Sequence, residues 1–143
     1  MLFRSVAGAK PTPGSGSVAA LVAASAAALG CKVCAVSMTT VVNRQGSMRE
    51  WHARLKRLEA ARRRLEQLID ADARAYAEVI ASRKLSRGNP KQEGRLTRAL
   101  RRAVEVPLDI AAAALQIAEE LRGLAGRAKA SVAPDAKIGR AHV

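Results

Sequence analysis

The carboxyl groups of Asp70 and Asp72 are the side chains in this chain best suited to moving protons, and Asp72 stands out by its position. It falls within Trp51, Leu55, Leu58, Arg62, Leu65, Ile69, Asp72, Tyr76 and Val79, a run advancing in alternating steps of four and three. Such steps mark the seam of a packed helix. A charged carboxylate in a seam is costly unless a partner or hydrogen bonds compensate. Where desolvation outweighs nearby Lys or Arg, it pushes the carboxyl toward neutral pH, where it can give and take protons. Asp70, two residues earlier, lies about 200 degrees away around the helix and reads as a solvated or supporting group. A buried ion pair with Arg62 or Lys32, or a polar residue that fixes helix register, also accounts for Asp72 on spacing alone.

A second candidate is the loop Pro11-Thr12-Pro13-Gly14-Ser15-Gly16-Ser17, which leads directly into apolar residues from Val18. Free backbone N–H groups at a helix start form an anion site, although such a turn also serves as a flexible lead-in. Ser15 or Ser17 is available as the helix cap. Cys31 and Cys34 form a lone CxxC without a second pair or a nearby His, so they read as small apolar fillers and no metal site is expected. His52 has no partner in the sequence.

These groups must be positioned by helices. Apolar residues make up 49% of the chain with one Trp, one Tyr and one Phe, which points to a core of Ala, Leu, Val and Ile. The first long helix, from Val18, carries no charge before Lys32 and is expected to be buried on every side. The second runs from about Ser47 to Ser82 without Gly or Pro. Ser86-Arg87-Gly88-Asn89-Pro90 breaks the chain, and a third helix follows with the seam Leu96, Leu100, Ala103, Pro107, Ile110, Ala114, Ile117, Leu121 and Leu124. Pro107 predicts a kink or a break, and Gly123 and Gly126 end the helix. No period-two strand pattern occurs, so the expected fold is all-α, an antiparallel helical bundle of long helices.

The net charge of +13 implies an acidic partner. Interleaved aromatics are lacking, and the charges alternate in sign along the helices, so nucleic acid is not expected. Residues 1–5 and 137–143 read like translations of a sequencing-library adapter, which leaves 6–136 as the domain.

Three blocks then combine. Pro13-Gly14-Ser15-Gly16-Ser17-Val18-Ala19-Ala20 resembles a Pro-Gly-Gly-Gly-Ser-Val-Ala-Ala opening, Asp70-Ala71-Asp72-Ala73 an Asp-Ala-Asp-Ala motif, and Arg101 to Leu108 a stretch ending in Val-Pro-Leu. In that order they resemble the formimidoyltetrahydrofolate cyclodeaminase and methenyltetrahydrofolate cyclohydrolase family. The resemblance implies a cytoplasmic, dimeric, all-helical enzyme of folate one-carbon metabolism. Its reaction would form 5,10-methenyltetrahydrofolate with release of ammonia, or interconvert methenyl- and formyltetrahydrofolate, without a metal or redox cofactor. Asp72 takes the catalytic position. The substrate, a folate expected to be polyglutamylated, is held near Pro13, Gly14, Ser15, Gly16 and Ser17 with Arg44, while Asp70 and Tyr76 support the acid.

Ser15 departs from the family's middle Gly, which matters if the backbone there needs positive φ. Pro134 stands where the family's Ser-Asp motif has Ser before Asp135. The family's C-terminal helix is missing, so the chain as written reads as truncated at that end and is expected to be inactive or to aggregate. Two other classes suit the same pattern: a helical adaptor, which would not bind folate, and a membrane-anchored basic protein using the first helix.

Overall fold

The computed structural model describes residues 2–39, 48–86 and 93–143, and all its regular elements are helices. These are α1 (Leu2–Val6), α2 (Ser15–Met38), α3 (Met48–Ser86), α4 (Glu93–Ala125) and α5 (Ala133–Ala141). Cross-helix pairs set the directions. Ser17 meets Asp72 whereas Gly30 meets Leu58, so α2 and α3 run antiparallel. Arg54 reaches Glu120 and Arg64 reaches Asp109, so α3 and α4 are antiparallel as well. The all-α antiparallel bundle expected from the periodicity is the observed fold, with the short α1 and α5 added to the three long helices. α5 runs into the stretch 137–143, and Gly139 packs on Leu121 and Ala26.

α2 sits in the middle, against α3, α4 and α5. Its Ala20, Ala23, Ala24, Ala26, Ala27, Val33 and Cys34 are buried, because small side chains let the neighbouring helices approach closely. At Gly30, in the middle of the helix, two neighbours press in at once: a Cβ would lie 2.8 Å from Leu121 Cδ2 and 3.0 Å from Leu58 Cδ1. α2 is long and apolar enough to cross a membrane by length and composition, yet here it forms the bundle core. It is not buried on every side, since Ala19, Ser25, Ala28, Lys32 and Ala35 form an exposed stripe. Exposing methyl groups costs little, so an Ala-rich helix tolerates an open face that Leu would not.

The seam of α3 differs from the expected one by a one-residue slip. Leu58, Ala61, Leu65, Leu68, Ala75, Val79 and Ser82 are buried, whereas Arg62 and Ile69 are only partly covered and Tyr76 is 49% exposed. Both frames pass through Leu58, Leu65, Asp72 and Val79; small Ala at 61 and 75 wins the contact positions from Arg62 and Tyr76 because it lets helices close. The same correction applies to α4, where Ala99, Val106 and Ala113 are buried in place of Leu100, Pro107 and Ala114. Pro107 does not break the helix, which is continuous from Glu93 to Ala125. Pro107 is exposed, so the carbonyl left without its N–H donor can be met by water. The slip also leaves Leu100, Val104, Leu108 and Leu115 exposed as a second apolar stripe on α4.

Candidate functional site

The start of α2 is the first structural component of the site. Gly14 is the N-cap, with an extended backbone at φ −117° and no side-chain cap, so neither Ser15 nor Ser17 caps this helix. Ser15 is the first helical residue and exposed, a position that any L-residue can take; the replacement of Gly by Ser there carries no positive-φ penalty. The hydroxyl of Ser17 is turned inward instead, toward α3.

There it donates to Asp72 Oδ2 at 2.9 Å and lies 3.0 Å from the carbonyl oxygen of Ile69. Asp72 is partly buried and forms one wall of a cleft of about 290 Å³, together with Pro11, Thr12, Gly14, Ser15, Gly16 and Tyr76. The polar lining comes from α3 on one side and from the first turn of α2 on the other. The first N–H groups of a helix have no intrahelical acceptor and point out of its N-terminus, so the cleft combines a carboxyl group with free donors and a phenol.

Gly16 makes the juxtaposition possible. A Cβ at that position would stand 2.6 Å from Asp72 Cγ and 2.9 Å from Oδ2, separations that real Cβ atoms do not adopt. The two helices therefore meet with a backbone on one side and a carboxylate on the other.

Of the residues singled out from the sequence, Asp72, Gly14, Ser15, Gly16 and Tyr76 line this cleft. Pro13 adjoins it, joined to Thr12 by a cis peptide, and Ser17 is fully buried behind Asp72. Asp70 is exposed and lies outside the cleft lining. Arg44 lies outside the described residues. The ion pairs weighed for Asp72 go elsewhere, Lys32 to Asp135 at 2.7 Å and Arg62 to Glu66. Pro11 and Thr12, part of the candidate loop but not of the set expected to hold the substrate, line the cleft as well; their place directly before Pro13-Gly14 was the available signal.

Cys31 and Cys34 are free thiols in or against the core, and burial pushes Cys34 up to about 12, so it stays a neutral thiol. A second cleft of about 240 Å³, bounded by Phe3, Leu21, Leu29 and Ile138, is almost wholly apolar and holds no carboxyl group. Its one titratable side chain is His142, whose Nδ1 lies 2.7 Å from the Ile138 carbonyl oxygen, so of these two clefts only that of Asp72 offers a carboxyl group.

Known proteins carry the same arrangement of helices. Residues 1–143 match the family model described as Formiminotransferase-cyclodeaminase. The formimidoyltransferase-cyclodeaminase of Rattus norvegicus is 36% identical over 143 residues, covering 94% of this chain and 26% of its own length. That of Gallus gallus is 32% identical over 142 residues, covering 95% and 26%. The crystal structure of formiminotetrahydrofolate cyclodeaminase from Thermotoga maritima superposes with a TM-score of 0.81 at 31% identity, over 96% of this chain and 66% of that one. The chain spans about a quarter of the length of these curated relatives. Matched from end to end by the family model and superposed in its helical fold on a solved relative, this chain belongs to the formiminotransferase-cyclodeaminase family of folate metabolism.

Proposed function

We propose that this protein closes 5-formimidoyltetrahydrofolate to 5,10-methenyltetrahydrofolate with release of ammonia, and that Asp72 moves the proton. The observation that carries the reading is the carboxyl of Asp72 in a cleft whose opposite wall is the N-terminal turn of α2, brought close by Gly16. In the reaction N10 attacks the protonated formimidoyl carbon and a C–N bond forms. N10 then loses its proton, the amine nitrogen gains one, the old C–N bond breaks and ammonia leaves. One carboxyl group set between the two nitrogens serves both transfers, because the proton it takes from N10 is the one the amine needs.

The cleft volume is close to the lower end of the range for ligand pockets, roughly 300–1,000 Å³. It suits the reacting end of a folate and leaves the glutamate tail outside. The surplus of basic residues, +13 over the chain, favours an acidic and polyglutamylated tail by Coulomb attraction. No metal or redox group enters the proton balance. We further propose that the protein works as a cytoplasmic homodimer.

The test is formation of 5,10-methenyltetrahydrofolate, followed by absorbance, in protein expressed from its full open reading frame. Asp72→Asn should cut kcat by at least about 100-fold, the low end for a lost general acid–base group, with KM within a few-fold. Wild-type turnover by that variant overturns the role of Asp72. A wild-type protein that hydrolyses methenyltetrahydrofolate but ignores the formimidoyl substrate overturns the cyclodeaminase reading.

A further inference from the structure

We propose that Ser17 is a positioning residue that keeps Asp72 hydrogen-bonded in both of its protonation states, by swinging one hydroxyl proton between Asp72 and the carbonyl of Ile69. The inference rests on the reading of Asp72 as a group that cycles between acid and base. A serine hydroxyl has a single proton to donate and two lone pairs to accept with. Ser17 Oγ nevertheless stands 2.9 Å from Asp72 Oδ2 and 3.0 Å from the Ile69 oxygen, both hydrogen-bond distances. One shared proton makes two weak three-centre contacts, whereas both become full bonds when one of the partners supplies a proton, and Asp72 is the partner that can.

The two states follow. With Asp72 charged, the hydroxyl of Ser17 donates to Oδ2. Once Asp72 takes up a proton on Oδ2, it donates to Ser17 Oγ, and the hydroxyl turns to the second lone pair of the Ile69 carbonyl. Ile69 and Asp72 are three residues apart on α3 and so share one face, which is why a single hydroxyl reaches both. Ser17 is 0% exposed, so its hydroxyl has no water to turn to and is confined to these two partners. Leaving a buried hydroxyl unmet is costly, and this arrangement keeps that of Ser17 satisfied in either state.

The charged surroundings are sparse. The phenol of Tyr76 lines the same cleft. α2 has Lys32 as its one charged residue, paired with Asp135. On α3, Asp70 and Arg74 are exposed, and on α4, Arg101 and Arg102 pair with Glu105.

Hydrogen bonds to a charged carboxylate are about twice as strong as those to its neutral form, so deleting the hydroxyl harms the base form more. In protein expressed from its full open reading frame, Ser17→Ala should lower kcat about tenfold and move the ascending limb of its pH profile upward by about half to one unit. KM should stay within twofold, and Ser17→Thr should restore the wild-type limb. Ser17→Cys, a weak donor of similar size, should shift the limb in the same direction, and it decides the matter if the alanine variant does not fold. An unshifted limb in the folded alanine or cysteine variant overturns the proposal while Asp72→Asn remains inactive. If Asp72→Asn stays active, the catalytic reading fails alone; the Asp72 carboxyl ¹³C titration by NMR then reads the relay directly, an upward shift in Ser17→Ala supporting it and no shift overturning it.

Discussion

The carboxyl group of Asp72 occupies the space where a side chain on Gly16 would begin, with Asp72 Cγ 2.6 Å from the position of a Cβ. Glycine is required here for clearance across a helix–helix contact, since the residue lies within α2 and needs no unusual backbone.

Gly16→Ala is therefore expected to separate folding from chemistry. Alanine favours a helix over glycine by roughly 1 kcal/mol, and the obstructing atoms belong to a side chain that can rotate. The thermal midpoint should change by only a few degrees while turnover falls at least about tenfold, because the carboxyl must leave its place beside Ser17. Calorimetry and the methenyl assay on one preparation check this; retained turnover would show that the position of Asp72 is not critical.

The buried thiol gives a probe of the core. With Cys34 pushed up to about 12 by burial, roughly one in ten thousand molecules carries the thiolate at pH 8. Iodoacetamide should leave Cys34 unmodified in the folded protein. Cys31, half-buried and raised less, should label slowly, and both should label fully in urea. Rapid modification of Cys34 without denaturant, read by peptide mass, would mean that the packing around α2 opens readily.

Acid should weaken the far end of the bundle first. Arg127 beside Glu50, with help from Arg54, holds its carboxyl below the ordinary value of 4.5. A carboxyl that titrates lower in the folded than in the unfolded chain stabilises the fold above the unfolded value and loses that effect as pH falls through the folded one. Wild-type protein should thus melt above Glu50→Gln at pH 6, and the gap should close as pH drops below about 4. Because the pair is exposed, salt at 0.5 M should narrow the gap as well. A gap that is constant with pH would assign Glu50 no electrostatic role.

The uncharged run from Val18, the steps of three and four in the two later helices and the short connections between them determined the class of fold, three long helices and the antiparallel order, because each apolar face must be covered by a neighbour. Periodicity also singled out Asp72, since that residue lies on the seam in either frame. What it could not determine was the frame itself. On α3 the choice between Ala61 and Arg62, or Ala75 and Tyr76, depends on how closely the neighbouring helix comes, and closeness is a property of the pair. The same holds for α4, where Ala99 and Val106 take the places expected of Leu100 and Pro107.

The loop and the acid are 56 positions apart from Gly16 to Asp72, and nothing local says that they touch. The composition Pro-Gly-Ser-Gly-Ser determined that a helix begins there. Only the tertiary structure decided that its first turn abuts Asp72, that Gly16 supplies clearance, and that the Ser17 hydroxyl faces inward as a partner to the acid. The physical reason is that local sequence sets where backbone donors go unmet, whereas the crossing of α2 over α3 sets which side chain is there to meet them.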